Sequence, residues 1–153
     1  MEPSELMKLR LLNVSRQALA YFSHLMGYRL VHDAVRDRSA RRFLLDYMRA
    51  EGAPSPPEAA GASVGRAAAI VASWARFAEG VDESGAPIEI VDNRATEVKA
   101  AAARQGRDPL AFLRQESFFG ARADEPRLTR PHLKALGSPH AVGARATLEA
   151  LTA

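Results

Sequence analysis

Single glycines punctuate this chain at intervals that suit helices, and that punctuation limits its fold more than any other feature. Gly27, Gly52, Gly80, Gly106 and Gly120 each follow a segment whose apolar residues recur every three or four positions, the period of an α-helix. A glycine just past such a segment is a natural helix stop. In 66–79, Ile70, Trp74 and Phe77 share one face, which assigns Trp74 to core packing. A first helix is expected over 5–26, with Ser4 as N-cap, Pro3 just ahead of it and Glu5 near the positive end of the helix dipole. Further helices are expected over 30–35 and 39–49, the latter carrying Phe43, Leu44, Tyr47 and Met48.

Beyond Gly80 the pattern continues. Asp92 suits an N-cap for a helix over 93–104, and Asp108 with Pro109 suits the start of another carrying Leu110, Phe112, Leu113, Phe118 and Phe119. Pro131 should interrupt a short helix after Pro126, Gly137-Ser-Pro139 should break the chain, and a last helix should run over 142–151. His132 and His140 lie beside prolines and are expected to be exposed. Only Ile88-Glu-Ile-Val91 alternates like a strand. The expected fold is therefore a mainly α, multi-helical domain with one short extended segment, the first helix and the Trp74 helix packing at its centre.

Composition narrows the chemistry. The 153 residues contain no cysteine, which excludes disulfides, thiolate catalysis and cysteine-ligated zinc. A hydrophobic share of 47% with 25% charged residues suits one globular domain with a real core. Net charge is +3, with 21 basic residues against 18 acidic ones; arginines dispersed among acids are poor evidence for nucleic acid. The charged start Met-Glu-Pro-Ser-Glu-Leu-Met-Lys is unlike a secretory signal, and no apolar run approaches the roughly 20 residues of a membrane span. A cytoplasmic protein with no membrane partner is the expectation. No metal site is expected either: His24 and His32 match no zinc spacing, and Asp82, Glu83, Glu89 and Asp92 match no calcium loop.

The stretch Gly52-Ala-Pro-Ser-Pro-Pro-Glu-Ala-Ala-Gly61-Ala-Ser-Val-Gly65 packs three prolines and three glycines together. It reads as a linker over 53–65, dividing a first helical block, 1–52, from a second, 66–153.

The first helix carries the chemistry worth weighing. Advancing about 100° per residue puts Arg10, Asn13, Arg16, Gln17, Ser23 and His24 on a polar arc, whereas Lys8 falls among Leu11, Leu12, Leu19, Phe22 and Leu25. A lysine withdrawn from water has its charged form disfavoured, and its neutral amine can then take a proton from an alcohol. The same lysine can instead lay its stem on the apolar surface and keep its ammonium in water. Asn13 and Arg16, three apart on the polar arc, read from spacing alone as a solvated face.

Lys8-Leu-Arg-Leu-Leu-Asn13-Val-Ser-Arg16 nevertheless resembles the lysine, asparagine and histidine motif of the mannitol dehydrogenase family. The resemblance extends over Ala18-Leu-Ala-Tyr21, Leu25-Met-Gly-Tyr28, Val31-His-Asp-Ala34, Tyr47-Met-Arg-Ala-Glu51 and most of Ala72 to Asp92, and again at Phe118-Phe-Gly120 and Gly143 to Leu148. It implies the carboxy-terminal domain of an NAD-dependent polyol dehydrogenase that oxidises a secondary alcohol such as that of mannitol to a ketone. Lys8 would be the general base, and Asn13 would stabilise the developing alkoxide. Arg16 stands where the family has histidine, a permanent cation without an acceptor in place of an imidazole. The family also has a longer segment where 53–65 stands, so the resemblance implies an internal deletion.

Binding NAD requires a Rossmann unit, and no G-x-G-x-x-G after a strand occurs in this sequence. The chain alone is therefore expected to bind no NAD and to be inactive. The alternative is a catalytically decayed helical remnant serving as an interaction or structural module.

Overall fold

The computed structural model of the chain describes residues 15–52, 57–120 and 125–152, with side chains outside 50–64. The expected motif positions Lys8 and Asn13, like the capping residues before them, lie outside the described residues. Seven helices are defined there: α1 Ser15–Leu25, α2 Val31–Ala34, α3 Arg38–Gly52, α4 Pro57–Phe77, α5 Ala95–Arg104, α6 Glu116–Phe119 and α7 Pro126–Leu151. An isolated antiparallel bridge, Val81 to Pro87, is the one β pairing among the described residues. The mainly helical class is as expected.

α4 is the central element. It packs most extensively on α7 and then on α1, while α1 and α7 each also meet α3. One core cluster joins Ala18, Phe22 and Leu25 of α1 to Phe43 and Tyr47 of α3, Ile70 of α4 and Leu148 of α7. A second joins Ala72, Ala75 and Ala78 to Val98 and Ala101 of α5, Phe112 and Leu136. The alanines let α5 and α7 approach α4 closely, so the bulky packing groups are aromatic. Trp74 stacks on Tyr21, 5.9 Å between centroids and 9° between planes, and receives Phe112 and Phe118 edge-on at 5.0 and 5.1 Å. The Arg94 guanidinium lies 4.0 Å from the Phe118 ring centroid. Packing is thus the role of Trp74 and of the Phe118-Phe-Gly120 run.

Several local expectations are corrected. α4 reaches back to Pro57, through the second half of the stretch read as a linker. Proline at the first helical position loses no hydrogen bond, and Ala59, Ala60 and Ala62 supply helix propensity against Gly61 and Gly65. Residues 109–114 form turns rather than a helix, and only Glu116–Phe119 is helical before Gly120. Ile88 to Val91 joins no ladder. Instead of separate segments after Pro126, α7 runs through Pro131 and Pro139 and kinks at Gly143, φ 86° and ψ 166°. His140 is exposed as expected, whereas His132 is 1% exposed. With α7 continuous, His132, Leu136 and Pro139 fall on one buried face.

The loop after α4 ties the ends of three helices together. Asp82 accepts hydrogen bonds from the Ser84 N–H and hydroxyl, each at 2.9 Å or less, from the Ala86 N–H at 2.9 Å, and from Arg29 at 2.8 Å. Glu83 donates its N–H to the Leu25 carbonyl at the end of α1, 3.1 Å, while its carboxylate accepts from the Ala144 N–H, where α7 resumes after the kink. Gly143 sits in a backbone region open essentially only to glycine, and a Cβ there would lie 3.0 Å from Glu83 Oε1. Gly143→Ala is expected to cost about 2 kcal/mol, read as a lowered thermal midpoint; an unchanged midpoint would show that the kink is not fixed by this glycine. Asp37 caps α3 through the Ser39 and Ala40 N–H groups, 2.9 and 3.1 Å, and its second oxygen accepts from Arg145, the residue after Ala144, and from Tyr28.

Candidate functional site

α1 has a core face and a groove face, because its residues alternate between them with helical period. Ala18, Leu19, Phe22 and Leu25 are buried, whereas Arg16, Gln17 and Ala20 are exposed. The groove face borders a volume of about 520 Å³ lined by Arg16, Gln17, Leu19, Ala20, Tyr21 and Val31. Arg16, the one motif position inside the described residues, therefore opens onto a concave surface between α1 and α2.

Two side chains in the groove were not singled out from sequence. Tyr21 lines it with a ring held between Trp74 and Phe77. Burial, followed by the negative charge of Asp92, pushes the Tyr21 phenol up to about 12, so it remains a neutral hydroxyl. Val31 is 68% exposed and reaches the groove from a different helix, a placement only the α1–α2 turn creates. That turn depends on Gly27 at φ 89° and on the Tyr28 N–H returning to the Ser23 carbonyl, 2.9 Å. Helical spacing on α1 could have flagged Tyr21; nothing local could have flagged Val31.

A smaller recess of about 100 Å³ continues the groove toward the end of α1, sharing Leu19, Ala20 and Val31 and adding Ser23, His24 and Arg29. His24 rests edge-on against Phe77. Burial, then the Arg29 charge, lowers its pKa, with Asp82 acting the other way. The groove thus presents a fixed cation, a neutral phenol and a histidine biased toward its neutral form.

Neither NAD nor a metal finds a cradle among the described residues. A dinucleotide's pyrophosphate needs a strand, a glycine-rich turn and a helix start in succession, and the described residues pair only at the single Val81–Pro87 bridge. No group of three or more His, Asp or Glu side chains there could hold a metal ion. No helix among them is long and apolar enough to cross a membrane.

Comparisons with known proteins give this geometry a context. The sequence pattern described as the mannitol dehydrogenase C-terminal domain matches residues 1–63 and 55–137. Mannitol dehydrogenase DSF1 of Saccharomyces cerevisiae is 30% identical over 165 residues, covering 75% of this chain and 33% of its own length. Mannitol 2-dehydrogenase of Phaeosphaeria nodorum is 26% identical over 197 residues, covering 96% of this chain and 34% of its own. That alignment is longer than the whole 153-residue chain, so part of the relative has no counterpart here. Among solved structures, Pseudomonas fluorescens mannitol 2-dehydrogenase in a ternary complex with NAD and D-mannitol superposes with a TM-score of 0.83 at 26% identity, covering 97% of this chain and 40% of that one. The chain spans about a third of the length of the curated relatives it matches.

Proposed function

Because the chain belongs to the mannitol dehydrogenase C-terminal domain family, we propose that it is the substrate-side part of a polyol dehydrogenase, oxidising a secondary alcohol of mannitol or a similar polyol to a ketone. The observation that carries this reading is the concave face of α1 at Arg16, within a fold matching a mannitol 2-dehydrogenase over 97% of the chain.

In this reading the polyol lies along the groove face of α1. Lys8 takes the hydroxyl proton as the general base, and Asn13 donates a hydrogen bond to the oxygen as charge develops on it. The Tyr21 phenol offers a donor that stays protonated throughout the working pH range. NAD, held by a nucleotide-binding unit, would supply the hydride acceptor.

The test is mannitol-dependent reduction of NAD by this chain alone and after mixing with a separately produced NAD-binding domain of a related mannitol 2-dehydrogenase. Turnover is expected only in the mixture. Lys8→Met should lower that turnover by at least about 100-fold, the scale of a general base, and no mannitol-dependent rate in a mixture of folded partners would reject the proposal. Arg16→His, which restores an imidazole to the groove, is expected to raise the rate several-fold; an unchanged or lower rate would mean that this chain does not use an imidazole there.

A second reading has its own support. Arg16 where the family has histidine, and the part of the relative with no counterpart here, both suit a catalytically decayed helical module retained for its fold. The same mixing experiment separates the two readings.

A further inference from the structure

Among the described residues, four large apolar side chains are more than half exposed: Leu30, Val31, Val91 and Val142. Three of them stand around the Arg16 groove. Val31 lines the groove and Leu30 the recess that continues it, while Val91 borders a neighbouring pocket of about 210 Å³ that shares Tyr21 with the groove. That pocket is floored by the partly exposed rings of Tyr21, Trp74 and Phe77, with the Tyr21 centroid 5.9 Å from that of Trp74 and 5.4 Å from that of Phe77. Ile90 and Val91 line it too. They belong to a segment whose burial alternates as in an extended chain: Ile88 is buried, Glu89 exposed, Ile90 half-buried and Val91 89% exposed. Ile88 donates its N–H to the Gly80 carbonyl, 2.8 Å. Beyond it, no backbone hydrogen bond engages Glu89, Ile90 or Val91 among the described residues. Apolar exposure gathered on one face marks a contact surface, and an extended segment with open N–H and C=O groups is a template for another strand.

We propose that the nucleotide-binding unit of the enzyme closes on this face by adding an extended segment along Glu89 to Val91, with an apolar side chain of that segment seated on the rings of Tyr21, Trp74 and Phe77. The placement rests on the polyol dehydrogenase reading. Hydride transfer needs the reacting atoms within about 3–3.5 Å, so a nicotinamide serves a polyol in the Arg16 groove only if the unit that holds it rests on the rim of that groove. The relatives carry about two thirds of their length outside the matched part, ample for such a unit. The rim offers it apolar contact from two elements, Leu30 and Val31 from the start of α2 and Val91 from the loop after α4. A second copy of this chain fits less well. Pairing two such segments would crowd the exposed carboxylates of Glu89 and Asp92 from both copies onto one short ribbon. The added segment is therefore expected to carry lysine or arginine where it passes Glu89.

The experiment is amide hydrogen exchange of the full chain, alone and with the separately produced NAD-binding domain of a related mannitol 2-dehydrogenase, together with a titration that gives the Kd of the pair. The amides of Glu89, Ile90 and Val91 are expected to exchange freely in the chain alone and at least about tenfold more slowly at saturation. Val91→Lys, which alters an exposed side chain, should keep the thermal midpoint and raise the Kd at least about tenfold. Val142→Lys, also at an exposed valine but one that lines neither the groove nor the pocket, should change neither. Mannitol-dependent NAD reduction while these three amides still exchange freely would overturn this docking and leave the polyol reading intact. Folded partners that neither associate nor turn over would reject both. Protection that appears without the partner and grows with the chain's own concentration would assign the segment to a second copy and overturn the proposal, as would an unchanged Kd for Val91→Lys or equal losses in the two variants.

Discussion

Phe22→Ala is expected to destabilise this protein by about 4 kcal/mol, within the range for removing a fully buried phenylalanine. Phe22 is 1% exposed and lies edge-on to Phe43, with centroids 5.4 Å apart at 63°. It stands in the core cluster where α1, α3, α4 and α7 converge. Truncation to alanine removes the apolar contact and the ring pair, and leaves a cavity that four helices cannot all close. A domain of this size has only about 5–15 kcal/mol of stability to lose. Val31→Ala, by contrast, alters a side chain that is 68% exposed and should stay within about 0.5 kcal/mol. Chemical denaturation of both variants is the check. A loss below about 1.5 kcal/mol for Phe22→Ala would mean that α1 is not anchored as described, and with it the groove that α1 frames.

The contrast between Phe22 and Val31 marks what the sequence makes legible. Phe22 announces itself by period: with Ala18, Leu19 and Leu25 it forms a stripe that only a core-facing helix needs. Gly27 and Gly80 are equally readable, since both take positive φ at the end of a helix, and a glycine there serves the backbone whatever packs around it. Val31 belongs to a groove made by two helices meeting, which no local pattern encodes.

The prolines show the opposite failure. Pro57, in a stretch whose composition suggests a linker, starts a helix. Pro131 and Pro139 look like breaks, but α7 runs through both, its extensive contact with α4 outweighing the missing backbone donors. The true interruption, Gly143, is fixed by a partner sixty residues away, since Glu83 receives the Ala144 N–H. A helix end held by a distant carboxylate leaves no signature in its own neighbourhood. The turns over 109–114 depart from the helical pattern for a related reason. Phe112 and Leu113 are buried at positions that suit a helix, yet Phe112 is held as an anchor against α4 and α5, and the backbone between Asp108 and Gln115 follows it.

The continuity of α7 through Pro131 buries His132, and that burial makes stability depend on pH. The His132 ring is 1% exposed, and neither nitrogen has a partner. Burial lowers its pKa from 6.5 to about 4, because an imidazolium in that site would lose its hydration with nothing to replace it. The unfolded chain takes up a proton near pH 6.5, while the folded chain does so only near 4. Stability is therefore complete above 6.5, declines as pH falls through that window and has lost its full share by about 4, a total of roughly 3 kcal/mol. His24, also lowered, adds a smaller slope of the same sign. The depressed carboxylates act at more acidic pH. Burial works against ionised Asp37, but the Ala40 N–H, Arg145 and Tyr28 outweigh it, whereas Asp82 is held well below the usual range by Ser84 first and then Arg29. Their contributions are lost only as pH falls through their own lowered values. His132→Leu removes the titrating group and both unpaired nitrogens together. Its denaturation midpoint should match or exceed that of the native chain at pH 7 and exceed it clearly at pH 4.5. Midpoints that fall in parallel for the two proteins between pH 7 and 4.5 would show that His132 is not the group responsible.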